Sequence, residues 1–240
     1  MEKELKIKIP GTKKFVYATQ RGSLSKPLII FVHGLTGSMN EHIFFNGARF
    51  FEKNGFSSLR FNLYYWPKDA RQMGECSLLT HAQDLDCVID YCRKHGANKI
   101  FVVGHSYGGP TVLLSPKKKF DGVVLWDPTY DVKNVLKNTR FVKELGGYRL
   151  RWDFDVIIGK KMFDFSSTIN CAPLIKNIKV PIKIICAGNG ALGESSKKYF
   201  KSANKPKGLA IIKNADHNFN FDGTEENLFK ETLSWLEQYC

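Results

Sequence analysis

The sequence predicts an α/β domain built on a mainly parallel sheet of about eight strands flanked by helices. Three observations carry this. Two strand-like segments open the chain, and apolar strand-like runs then alternate with segments of helical period. One run, Leu28 to Val32, is apolar throughout, the pattern of a strand buried on both faces. The alternation breaks once, from about Pro128 to Lys179, in a stretch rich in aromatics and charge.

Each element has its own signal. Leu5 to Ile9 alternates with period two, as a half-exposed strand does, and Pro10-Gly11 stops it. Phe15 to Thr19 is its hairpin partner. Ala48 to Lys53 closes a helix before Asn54-Gly55, and Ser57 to Phe61 is the next strand. Leu78, Leu79, Ala82, Leu85, Val88, Ile89 and Cys92 recur at helical spacing, with Gly96 as the stop. Strands follow at Ile100 to Val103, Val123 to Trp126, Ile182 to Cys186 and Leu209 to Ile212. Leu228, Phe229, Thr232, Leu233, Trp235 and Leu236 mark a closing helix. Residues 1–240 read as one domain, and 128–179 as a small cap-like insertion after the sixth strand, with short helices of its own. The rival reading is a single irregular crossover.

The totals bound the function. The chain has 240 residues, 43% of them hydrophobic, including 18 Phe, 9 Tyr and 4 Trp, so a large core is expected and disorder is excluded as the main state. No run approaches the roughly 20 apolar residues of a membrane span. The segment Met1 to Lys8 has no apolar stretch of the signal-peptide kind. Cys76, Cys87, Cys92, Cys171, Cys186 and Cys240 form no CxxC or zinc-ligand spacing and read as small hydrophobes in a reducing cytoplasm. Lys and Arg number 36 against 23 acids, a formal charge of +13. The lysines are scattered, and Lys117 to Lys119 is their only run of three. No basic helix with interleaved aromatics occurs, so no nucleic-acid partner is expected. A solvated basic surface is the plainer reading; attraction of anionic substrates or membranes is the sharper one.

Gly104-His105-Ser106-Tyr107-Gly108 matches G-x-S-x-G, with an apolar strand before it and a helical pattern after it. A turn this sharp needs small residues on either side. It lifts the Ser106 hydroxyl above the sheet edge, toward the N-terminus of the following helix. A glycine-rich turn without chemistry is the rival reading. His33-Gly34-Leu35-Thr36-Gly37-Ser38 follows the buried strand, and its glycines let the backbone fold back toward the serine. The N–H groups of Leu35 and Tyr107 are the candidate oxyanion donors, and His33 reads as a hydrogen-bonder in its turn. His217, in Asp216-His217-Asn218-Phe219, stands between the last strand and the closing helix. Only histidine accepts a serine proton near neutral pH and returns it. The remaining histidines, including His81 and His105, read as surface-loop residues.

These motifs together resemble the α/β-hydrolase superfamily, and are most similar to compact serine esterases near its dienelactone-hydrolase and serine-aminopeptidase-like branches. The resemblance runs from the His33-Gly34 turn to the closing helix. It implies Ser106 as nucleophile, His217 as base, oxyanion amides at Leu35 and Tyr107, and acyl-enzyme hydrolysis without metal or organic cofactor. The acid departs from the family pattern. An Asp is expected soon after the strand Ile182 to Cys186, yet Ala187 to Glu194 contains none. Two candidates keep the Ser, acid, His order: Glu194 in that loop, and Asp127 after the preceding strand, in Leu125-Trp126-Asp127-Pro128. Asp127 is favoured for its strand-end position, against a rival role capping the turn before Pro128.

The expected function is hydrolysis of a small carboxylic ester or thioester. The cap aromatics Tyr130, Phe141, Tyr148, Trp152, Phe154, Phe163 and Phe165 suggest an apolar acyl pocket, and Asp153, Asp155 and Asp164 read as surface charge. Acyl transfer on the same site is one alternative, and a non-catalytic binding protein of the same fold is another.

Overall fold

A computed structural model describes residues 2–151 and 154–240. Trp152 and Asp153 lie outside the described residues. The elements run β1 (Glu2–Lys8), β2 (Phe15–Arg21), β3 (Leu28–Val32), α1 (His42–Lys53), β4 (Ser57–Phe61), α2 (Leu78–Lys94), β5 (Ile100–His105), α3 (Gly108–Leu114) and β6 (Gly122–Trp126). Then come α4 (Val132–Val135), β7 (Arg140–Val142), β8 (Gly147–Arg151), β9 (Asp155–Gly159), α5 (Lys160–Thr168) and α6 (Cys171–Lys176). The chain closes with β10 (Ile182–Ala187), α7 (Gly193–Ser202), β11 (Lys207–Ile212) and α8 (Thr224–Leu236).

Eight strands form one sheet in the order β1-β2-β4-β3-β5-β6-β10-β11. The β1–β2 and β2–β4 pairs are antiparallel; the others are parallel. A parallel sheet needs both faces covered. Leu28, Ile30 and Val32 of β3 pack with Leu85, Val88 and Ile89 of α2 in one apolar layer. Ile29 and Phe31 face the other way, into a layer with Phe44 and Phe51 of α1 and Phe229 of α8. In that second layer Trp126 stacks on Phe44, and its Nε1–H donates to Thr232 Oγ1 at 2.9 Å, fixing α8 against the end of β6.

The main-sheet registers align the C-terminal ends of four strands. His105 stands opposite Trp126, Trp126 opposite Ile185, and Ala187 opposite Ile212. Loops leaving this edge meet in one place, where open α/β sheets hold their ligands.

Between β6 and β10 the chain leaves the main sheet and holds more than the short helices expected there. β7, β8 and β9 form a three-stranded antiparallel sheet. Tyr148 stacks on Phe163 of α5 with centroids 3.7 Å apart, and Phe141 packs on the edge of Tyr148. Tyr148 and Phe163 each spend a ring face on this stack, whereas Phe141 stays 54% exposed. Among the described residues no helix is long and apolar enough to cross a membrane. All six cysteines are free thiols, with Cys76, Cys92, Cys171 and Cys186 buried.

Candidate active site

Ser106 follows directly on β5 in the left-handed region, φ 54°. A non-glycine residue held there is strained and persists only where its surroundings dictate it. The flanking glycines explain how the turn closes. A Cβ on Gly104 would stand 2.7 Å from the Gly108 carbonyl oxygen, and one on Gly108 would overlap the Val32 carbonyl. The turn is tied to β6 by the Ser106 N–H donating to the Trp126 carbonyl (3.1 Å).

The turn after β3 lies against the serine. A Cβ on Gly34 would stand 3.0 Å from Ser106 Cβ and 3.5 Å from its Oγ. The Gly34 carbonyl accepts from the Gly37 N–H at 3.2 Å and bonds His33 Nδ1 at 2.8 Å. His33 Nε2 accepts from the Leu63 N–H at 3.0 Å, so the ring is neutral with its proton on Nδ1, donated to Gly34. His33 is therefore a brace for the turn that carries Leu35. Tyr107, the residue after Ser106, precedes α3.

Asp127 is fully buried at the end of β6, also at positive φ, 38°. Its Oδ1 accepts the Ala187 N–H of β10 at 3.2 Å, and its Oδ2 meets His217 Nδ1 at 2.6 Å. The carboxylate accepts, so His217 carries its proton on Nδ1 and keeps the Nε2 lone pair for other work. Glu194 is not part of this group. It lies in the first turn of α7 with its side chain 78% exposed, and its carboxylate pairs with Lys197 at 2.7 Å. A helix begins where the sequence suggests a loop, and it directs Glu194 to solvent.

Three contributors escape the sequence reading. Thr129 Oγ1 is the hydrogen-bond partner of Ser106 Oγ, at 3.5 Å; Tyr199 holds Thr129 in place, its hydroxyl donating to the Thr129 carbonyl at 2.7 Å. Glu41, at the start of α1, packs against Gly37, and burial raises its carboxyl above the usual range. His105 is no surface residue: it is buried, its ring lies 4.7 Å from that of His217, and its Nε2–H donates to the His217 carbonyl at 2.9 Å. This bond ties the histidine loop to the serine turn. The only sequence signal for it is its place inside the G-x-S-x-G pattern. His81 is buried as well, under the ring of Tyr64.

Burial sets the charge of these histidines. It lowers His33 to about 4, and His81 and His105 to about 3, from the ordinary 6.5. The unfolded chain accepts protons at these positions below pH 6.5, and the folded state refuses them. Their stabilising effect is whole above pH 6.5 and is lost as pH falls toward 4 and then 3. The melting temperature is expected to drop between pH 7 and pH 4. His81→Leu, which removes a buried Nε2 without a hydrogen-bond partner, is expected to make that drop shallower. Equal slopes for the two proteins in thermal melts would contradict this assignment.

Among the described residues no group of three or more His, Cys, Asp or Glu is placed to hold a metal ion. The profile of the alpha/beta hydrolase fold family matches residues 27–128, from the approach to β3 through the elbow to Pro128. No curated protein matches the chain in sequence. Solved structures match it along its length. Est1E from Butyrivibrio proteoclasticus, with ferulic acid bound, is 20% identical over 98% of both chains, at a TM-score of 0.83. The esterase domain of a Rhodothermus marinus protein is 17% identical over 100% of this chain and 99% of that one, at 0.79. Dienelactone hydrolase from Anabaena variabilis is 14% identical over 100% and 98%, at 0.74. The chain therefore has the α/β-hydrolase fold, with the family's sequence pattern matched over residues 27–128.

Proposed function

We propose that the protein is a serine hydrolase that cleaves a carboxylic ester or thioester through an acyl-enzyme on Ser106. The observation that carries this reading is the 2.6 Å bond from His217 Nδ1–H to the buried Asp127 carboxylate, at the same sheet edge as the strained serine turn. Similar structures named as an esterase domain and a dienelactone hydrolase support the same reaction class.

The steps follow from the residues. The Ser106 hydroxyl turns from Thr129 toward His217 Nε2 as substrate enters; catalytic hydrogen bonds commonly tighten only then. Ser106 Oγ attacks the acyl carbonyl while His217 takes its proton. The N–H groups of Leu35 and Tyr107 hold the carbonyl oxygen as it becomes an anion, each worth about 10²–10³ in kcat. Asp127 keeps the imidazole in the productive tautomer and stabilises its cation. His217 then protonates the departing alcohol or thiol. In the second half it takes a proton from water, the hydroxide adds to the acyl carbon, and the bond to Ser106 Oγ breaks as His217 returns the proton to that oxygen, releasing the acid.

A panel of short-chain and aryl esters and thioesters tests the proposal. The expected result is saturable release of the free acid, with free acid still the main product when methanol or a thiol is added. Silence on the whole panel from folded protein would overturn it, and a main product esterified to the added nucleophile would replace hydrolysis by transfer. Phe163→Ala reports first on packing, because that ring is stacked on Tyr148.

A further inference from the structure

The small sheet of the excursion carries a concentration of charge that the catalytic reading does not use. In β8, Arg149 and Arg151 are two residues apart and so share a face. Arg140 of β7 stands directly opposite Arg149 in the antiparallel register. The opposite face holds Tyr148 and Leu150, which pack toward the core. Lys137, from the turn before β7, joins the three arginines around a cleft of about 480 Å³, completed by Asn138 and Thr139.

Like charges placed directly across a strand pair destabilise it. Asp155 stands opposite Arg151 in the register and approaches Arg149 at 3.5 Å, offsetting part of this charge, while Arg140, Arg151 and Lys137 make no ion pair among the described residues. No carboxylate of the described residues lines the cleft. Two arginines of the main domain have close carboxylate partners instead, Arg71–Asp84 at 2.6 Å and Arg93–Asp121 at 2.8 Å. Guanidinium groups offer planar forks of donors that match phosphate oxygens two at a time. Asn138 and Thr139 add neutral polar groups at the rim.

We infer that this cleft is a binding site for the phosphate groups of a small molecule, with Arg140, Arg149, Arg151 and Lys137 as its contacts. The cleft is roomy enough to admit a diphosphate group together with part of the molecule that carries it. A bound diphosphate would neutralise the Arg140–Arg149 repulsion, so binding and sheet stability rise together. The inference does not depend on the Ser106 chemistry.

The test is calorimetric titration with pyrophosphate at about 0.1 M salt, where long-range surface attraction is screened. Wild-type protein is expected to bind one equivalent saturably and to melt higher when bound. Arg149→Gln/Arg151→Gln is expected to weaken binding about tenfold or more. Lys13→Gln/Lys26→Gln removes the same charge from exposed positions elsewhere and is expected to bind as wild type does. Arg140→Gln gives a second, milder variant that relieves the cross-strand repulsion and so keeps the fold. Ser106→Ala is expected to bind pyrophosphate normally, which separates this site from the catalytic one. Absence of saturable binding would overturn the inference. So would equal weakening in the two double variants, or arginine-dependent binding of oligodeoxythymidylate without binding of pyrophosphate. Where the site holds, its source can be read from kinetics. Pyrophosphate that competes only with a phosphate-bearing thioester marks a substrate group, and pyrophosphate that also changes turnover of a neutral ester marks an effector.

Discussion

Ser106→Ala is expected to lower kcat on any ester the protein hydrolyses by about 10⁴–10⁶-fold while leaving its melting temperature within a degree or two of wild type. The large factor follows from the role proposed for the serine, as the atom that forms the acyl bond. The small change in stability follows from its setting. Among the described residues Ser106 Oγ has one long hydrogen-bond contact, 3.5 Å to Thr129, so its removal breaks little. Loss of the hydroxyl at a strained φ of 54° leaves the turn held by Gly104, Gly108 and the bond to Trp126. His217→Ala is expected to fall within the same range, and the double variant to be no worse than either single one, because the two act as a unit. Additive losses would mean that they do not share a proton.

Asp127→Asn is expected to cost about 10³–10⁴ in kcat, whereas Glu194→Gln is expected to stay within about twofold of wild type. The amide preserves the shape of the buried side chain and can still accept the Ala187 N–H with its oxygen. Its NH₂ then faces His217 Nδ1, which must be unprotonated to accept it. The proton moves to Nε2, and the base is lost to the serine. Glu194 is exposed and, among the described residues, paired only with Lys197, so its charge matters little. Steady-state kinetics on the three proteins decides between the acids. The reverse ranking would move the acid to α7 and remove the role assigned to Asp127.

Parts of this site are legible in the sequence for physical reasons. The elbow is readable because two backbones approach too closely for side chains at Gly104 and Gly108, so the pattern is forced. His217 is readable from order alone, as the histidine between the last strand and the last helix. Asp127 needs more: its strand-end position is visible, but the bond joining it to β10 is a matter of register between β6 and β10. The first turn of α7 is hidden because Gly193 and Glu194 carry no strong helix-start signal, so the sequence does not show that Glu194 turns to solvent beside Lys197. The β7–β9 sheet is hidden too. Its strands are three to five residues long, and Arg140-Phe141-Val142 does not alternate cleanly. The burial of His105 and His81 follows from the packing of loops around them, which no local pattern encodes.

Thr129 illustrates the same limit from within the site. It stands two residues after Asp127, and nothing in Asp127-Pro128-Thr129 marks it as the neighbour of a serine 23 positions earlier. The contact arises because β5 and β6 are paired in parallel, so the residues that leave both strands emerge side by side.

The central claim is that Ser106 is an activated nucleophile, and the most direct measurement is intact-mass spectrometry after treatment with a fluorophosphonate. The account predicts one adduct on the wild-type chain, none on Ser106→Ala, and a much slower adduct on His217→Ala. A folded wild-type protein that stays unlabelled and leaves small acyl esters intact would contradict it, as would an adduct that persists in Ser106→Ala.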